Sequence, residues 1–109
     1  MRAIWKNTVI AQSDDVEEID GNFYFPLDSI KKNYFIESST KSSCPWKGQA
    51  SYFHILIDGE VNEDSAWYYS GEESKVAILK DRVAFWKGVE LKESSFIGFE
   101  LLSVLNSFF

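Results

Sequence analysis

The chain has 109 residues, 45% of them hydrophobic, with 4 Trp, 5 Tyr and 9 Phe; that length fits one domain, and rings that each bury on the order of 150–250 Å² provide a core that a disordered chain lacks. Seventeen acidic residues against eleven basic ones give a formal charge of -6, which opposes attraction to phosphates, so no nucleic-acid partner is expected. One cysteine and one histidine exclude an internal disulfide and a structural zinc site built of Cys and His alone.

Ala3-Ile4-Trp5 and Val9-Ile10-Ala11 flank Lys6-Asn7-Thr8 and predict an opening hairpin. Val16 to Ile19, the turn Asp20-Gly21-Asn22 and Phe23-Tyr24-Phe25 continue it as a meander that Pro26 ends. Asp28 as a cap, with Ile30 and Tyr34 four residues apart, predicts one short helix over Leu27 to Tyr34. Phe35-Ile36-Glu37 then resumes strand, and the hydroxyl-rich run Ser38 to Ser43 reads as a polar loop.

Gln49 to Asp58 has the strongest strand character. It places Tyr52, His54, Leu56 and Asp58 on one face and Ser51, Phe53, Ile55 and Ile57 on the other, the predicted core face. An acidic connection follows from Asp58 to Asp64, then a strand from Ser65 to Tyr69 and a turn at Ser70-Gly71-Glu72-Glu73. Val76-Ala77-Ile78 and Val83-Ala84-Phe85-Trp86 predict a late hairpin around Lys80-Asp81, and Val89-Glu90-Leu91 closes the sheet. Eight or nine short strands favour a two-sheet sandwich or open barrel over an α/β layer structure.

From Ser94 to Phe109 the character changes: Phe96, Phe99, Leu102 and Leu105 repeat every third residue, and Leu101, Val104 and Phe108 fill adjacent faces. The expected organisation is a domain over 1–93 and an apolar helical extension over 94–109, docked on that domain or on a second subunit as a homodimer. No apolar run reaches the roughly 18–20 residues that span a bilayer and no leader opens the chain, so a soluble, cytoplasmic protein without a membrane span is expected.

Several blocks stand in a telling order: Ala3-Ile4-Trp5, Val9-Ile10-Ala11-Gln12-Ser13, Phe23-Tyr24-Phe25-Pro26 with Asp28, Cys44-Pro45-Trp46-Lys47-Gly48-Gln49-Ala50-Ser51-Tyr52, Ala66-Trp67-Tyr68-Tyr69 and Val83-Ala84-Phe85. From about Arg2 to Leu91 the chain thereby resembles the bacterial domain of unknown function 427. The resemblance implies a mainly β protein of the β-tent fold, two antiparallel sheets packed at a steep angle. It implies no activity, although one name given to the family mentions nucleotidyl transfer. The chain departs from the family where Ser70-Gly71-Glu72-Glu73 replaces a proline-containing turn, and in its apolar tail. Other β-tent proteins carry paired Cys-x-x-Cys zinc knuckles; this chain has none, so neither metal nor cofactor is expected.

Aromatic residues dominate the candidate site. Trp46, Tyr52, Trp67 and Tyr69 are candidate walls of a pocket for an organic cation or a flat heterocycle, with Lys47 at its mouth, although rings are also good core material. Lys47-Gly48 lacks the preceding glycine cradle and the following Ser or Thr of a P-loop, and its stem suits a solvated cover over Trp46. Cys44 is a secondary candidate with His54 as its histidine partner, weighed against a buried and inert thiol. Asp58, Glu60, Glu63 and Asp64 do not match an EF-hand loop. The reading is thus a small-ligand-binding module. One alternative is a nucleotide-directed transferase or hydrolase using Lys47 with Asp28 or Glu37; a homodimeric interaction module is another.

Overall fold

A computed structural model describes residues 1–69 and 77–93. Within them the chain is mainly β, with two antiparallel sheets. The smaller sheet contains β1 (Arg2–Trp5), β2 (Thr8–Gln12) and β9 (Glu90–Lys92) in the order β2-β1-β9. The larger contains β3 (Glu17–Ile19), β4 (Asn22–Pro26), β5 (Phe35–Cys44), β6 (Gly48–Ile57), β7 (Glu60–Tyr69) and β8 (Arg82–Phe85), ordered β3-β4-β8-β7-β6-β5.

Local turn chemistry sets much of this order. Lys6 and Asn7 both adopt positive φ, 50° and 58°, giving the two-residue connection whose twist matches antiparallel strands. Asp58 and Gly59, at 51° and 78°, do the same between β6 and β7. The acidic stretch expected as a connection is therefore mostly strand, since β7 already begins at Glu60. Asp-Gly is the strongest short hairpin signal, and it outweighs the acidic composition of the residues that follow.

The polar loop expected over Ser38 to Ser43 is likewise strand. β5 runs to Cys44, pairing Lys41 with Ser51 and Ser42 with Ala50. It is the edge strand of the larger sheet and mostly exposed, which suits hydroxyls and a lysine and blunts edge-to-edge pairing. The short helix expected over Leu27 to Tyr34 is also corrected. Two single 3-10 turns, Leu27–Ser29 and Lys32–Tyr34, occupy the segment, and Asp28 makes no cap. Between them Ile30 is extended, bridging to Ala11, and Lys31 N–H bonds Ile10 O at 2.8 Å, so pairing to β2 wins over the helical pattern. Ala77–Leu79 is a 3-10 turn in place of the late hairpin's first strand, and β8 pairs with β4 and β7.

The main core lies between the sheets. Ala3, Ile10 and Ala11 meet Phe25, Phe53, Ile55, Ile57, Ala66, Val83 and Phe85 there, in agreement with the odd-numbered face expected of β6. Phe25 and Phe85 meet edge to face at 5.4 Å, and Phe53 stacks on Tyr68 at 4.7 Å. A second cluster of Tyr24, Ala50, Tyr69, Leu79 and Ala84 covers the opposite face of the larger sheet. The extension expected from residue 94 lies outside the described residues. No helix among the described residues is long and apolar enough to cross a membrane.

Candidate functional site

Strand alternation builds the site on that second face. Tyr52 of β6 pairs with Trp67 of β7, which pairs with Ala84 of β8, so these three side chains project together. Trp86, two residues beyond Ala84, shares their phase. Because Ala50 and Ala84 are small, larger rings stand around them. Trp67 meets Tyr24 edge-on at 6.3 Å and Trp86 at 5.8 Å with 79° between planes. Tyr52, Trp67 and Trp86 line a cleft of about 150 Å³.

Hydrogen bonds fix the cleft's two sides. Tyr52 Oη lies 2.9 Å from Ser42 Oγ of the edge strand. Trp86 Nε1 donates to Asp64 O at 2.6 Å, and its backbone N–H donates to Ser65 O at 3.0 Å. Lys87 donates to Glu63 O at 3.0 Å and holds its ammonium 5.0 Å from the Trp86 ring centre. One face of Trp86 therefore already attracts a cation.

The residues expected as pocket walls divide between two places. Tyr52 and Trp67 are in the cleft. Tyr69 lies beneath the surface, buried and tilted against Tyr24 at 6.5 Å; burial first, then Tyr24, Cys44 and Tyr52, pushes its pKa up to about 12, so it remains a neutral phenol. Trp46 and Lys47 sit instead on the hairpin turn between β5 and β6. There Cys44 pairs with Gly48 across the three residues Pro45, Trp46 and Lys47, and Gly48 closes the turn at φ 101°, which a side chain would disfavour. Trp46 is 52% exposed, and Lys47 Nζ lies 5.2 Å from its ring centre.

Lys47 does more than cover Trp46. Its side chain is only 13% exposed and its Nζ lies 3.1 Å from Asp20 Oδ2, tying the turn to the β3–β4 hairpin. Burial works to lower its pKa, but Asp20, with Tyr24 and Cys44, outweighs that and raises it, so the ammonium is held. Cys44 is half-buried, against the expectation of a buried thiol. Hydrogen bonding from the backbone N–H groups of Lys47 and then Trp46 holds its pKa below the usual thiol value, helped by the Lys47 charge and opposed by burial and by Asp20.

His54 is not brought to Cys44. It pairs with Ile36, six residues along β6 from the Gly48 that faces Cys44, a separation of about 20 Å at ~3.3 Å per residue. His54 Nδ1 instead accepts from Asp64 N–H at 3.0 Å. Ser38 donates to Asp64 Oδ1 at 2.6 Å and Thr40 to Oδ2 at 2.8 Å, so neither hydroxyl is poised on His54 as a base. Asp28 and Glu37, the acidic partners of the nucleotide alternative, line two other clefts, of about 410 and 330 Å³, each shared with Lys32. Glu60 pairs with Lys6, and among the described residues no three of His, Cys, Asp and Glu gather to hold a metal.

Sequence reading missed Trp86 and Tyr24 as site residues. The signal was present for both. Residues 84 and 86 alternate away from the core residues Val83 and Phe85, and Tyr24 alternates away from Phe25.

Two antiparallel sheets with an aromatic cleft on the outer face of the larger one define a small all-β protein with a ring-lined surface site. The family model for the domain of unknown function DUF427 matches residues 1–94, and the chain belongs to that family. No curated protein matches the chain.

Proposed function

We propose that this protein is a small-ligand-binding module that takes one flat ring or one compact organic cation in the cleft of Tyr52, Trp67 and Trp86. The observation that carries the reading is that, among the described residues, three aromatic side chains line a space of about 150 Å³. An apolar cavity of roughly that volume holds a single benzene-sized guest. It has no room for a whole nucleotide, so only the ring of a larger ligand would enter. Trp67 and Trp86 at 79° offer a face and an edge at one corner, the arrangement in which an added ring or cation finds complementary charge. The formal charge of -6 favours a cationic guest over an anionic one.

The reading takes the two sheets as a β-tent with the cleft on one wall, a view supported by membership of the family, and it places the protein in the cytoplasm. In it Tyr69 and Tyr24 support the walls from below, while Trp46 and Lys47 lie outside the cleft. Titrating the intrinsic tryptophan fluorescence with N-methylpyridinium and with tetramethylammonium tests it. Saturable quenching that is lost in folded Trp86→Ala is the expected result. No saturable response to either probe overturns it.

A further inference from the structure

We infer that His54 positions the Trp86 wall of the aromatic cleft through Asp64, and that adding a proton to His54 releases that wall. As control over a ligand, this rests on the cleft being the binding site. The link is a chain of short contacts. His54 Nδ1 accepts the Asp64 N–H at 3.0 Å, and the carbonyl of the same Asp64 accepts Trp86 Nε1 at 2.6 Å. An imidazole that accepts at Nδ1 is neutral and carries its proton on Nε2.

Asp64 stands where the backbone has a second arrangement within reach. Phe53 pairs with Ala66 and Ile55 with Asn62, so residues 63–65 bulge opposite His54, and Asp64 takes φ 52° there. A residue other than glycine keeps that left-handed backbone only while its surroundings fix it. The bonds to His54 and Trp86 fix its main chain, while Ser38 and Thr40 of β5 hold its carboxylate.

Protonation reverses one of these contacts. The imidazolium carries N–H on both nitrogens, so Nδ1 and the Asp64 N–H become two opposed donors. The acceptor within reach is Asp64 Oδ1, already 3.6 Å from Nδ1, and closing that gap makes a charge-assisted hydrogen bond. One bond replaces another, so the change is local and overall stability stays level. The Asp64 main chain, freed from His54, relaxes and withdraws its carbonyl from Trp86 Nε1. Trp86 retains its backbone bond to Ser65 O at 3.0 Å and the Lys87 ammonium 5.0 Å from its ring centre, about which the ring swings.

The surroundings of His54 leave it as the member that changes charge. From β5 it meets its cross-strand partner Ile36, with Ser38 and Thr40 beyond on Asp64. Glu63 and Asp64 stand opposite it on β7, Tyr52 shares its face of β6, and Lys87 past β8 is bonded to Glu63 O at 3.0 Å. The Ser38 bond first, against burial and with Thr40, His54 and Lys87, holds the Asp64 carboxyl below its ordinary pKa, so it stays ionised over the range of roughly pH 5 to 8 in which histidine changes charge.

The test is a pH titration of the full chain, followed by NMR without ligand. The chain has one histidine and four tryptophans, so the imidazole C–H signal reports His54 alone, and the indole N–H signal missing from Trp86→Phe identifies Trp86. Between about pH 8 and pH 5 the Trp86 signal is expected to move upfield, as it does when a short hydrogen bond is lost, with the midpoint of the imidazole signal. In His54→Asn, whose side-chain oxygen accepts in place of Nδ1 and does not titrate, the Trp86 signal should stay at its high-pH position. A neutral flat ring, pyrazine, should bind about fivefold more weakly at the low end, the equivalent of one ordinary hydrogen bond. A Trp86 signal that stays still, that moves equally in His54→Asn, or that moves together with the Trp67 signal as a charge acting through space would make it, overturns the proposal, as does equal pyrazine affinity at the two ends. Because the spectra need no ligand, a moving Trp86 signal with no ring bound at either pH would count against the ligand reading and not against this link.

Discussion

Asp64 of β7 accepts a hydrogen bond from Ser38 of β5 at 2.6 Å although β6 runs between their strands. The reach is made possible by two register irregularities, between Glu37 and Lys41 in β5 and between Phe53 and Ile55 against β7. Asp64 stands at φ 52° within the second, which turns its carboxylate over His54 toward Ser38 and Thr40. Three strands are thus tied by one side chain.

That tie predicts an acid-sensitive fold. The Ser38 hydrogen bond first, with Thr40, His54 and Lys87 and against the effect of burial, holds the Asp64 carboxyl below its ordinary pKa. A carboxylate depressed in the folded state contributes stability above its unfolded value, about 3.9, and loses it as pH falls through the lower folded value. The urea midpoint of the wild type should therefore be level from pH 5 to 7 and fall below about pH 4. Asp64→Asn, which tolerates the same left-handed backbone, should lower the midpoint at pH 7 and flatten the acid limb. Identical midpoint-against-pH curves for the two proteins would show that this carboxylate does not contribute.

Trp86 offers a way to separate binding from folding. It is 47% exposed, so Trp86→Ala leaves the main core untouched and removes one edge-to-face pair, the Nε1 hydrogen bond to Asp64 O and the Lys87 contact, at a cost of about 2–3 kcal/mol. Loss of one of three cleft walls should nevertheless weaken N-methylpyridinium binding by about tenfold or more. Denaturant unfolding and fluorescence titration on the same sample read both numbers. A stability loss well beyond that, with binding unchanged, would make Trp86 a packing residue only.

The turn between β6 and β7 isolates backbone strain from packing. A Cβ at Gly59 would meet nothing within 4 Å, yet φ there is +78°. Gly59→Ala should thus cost about 1–2 kcal/mol through conformation alone. Thermal unfolding measures it, and a neutral result would mean that the turn relaxes to another form.

The legible parts of the fold were those where local pattern and tertiary context agree. The opening hairpin and the odd-numbered core face of β6 follow from alternation and from Asn7 at a positive φ. β5 was legible at Phe35 to Glu37 but not beyond, because six consecutive polar residues signal a loop, and only the edge position in the sheet makes them a strand. Ile30 escaped for the complementary reason: its helical spacing to Tyr34 is real, but a bridge to Ala11 from outside the segment overrides it. In the site, sequence grouped Trp46 with Trp67 because both stand in aromatic blocks. The hairpin turn keeps Trp46 out of the cleft, and alternation past Ala84 puts Trp86 into it.

Tyr24 carries the sharpest prediction, since its ring and its hydroxyl have opposite consequences. The ring packs against Trp67 and Tyr69 at 6.3 and 6.5 Å and is wholly buried. The hydroxyl is enclosed without a partner among the described residues, a situation that costs about 1–3 kcal/mol. Tyr24→Phe keeps every ring contact and deletes the orphan oxygen, so stability in urea should stay level or rise by about 1 kcal/mol. A fall of that size would mean that the hydroxyl is satisfied within the fold.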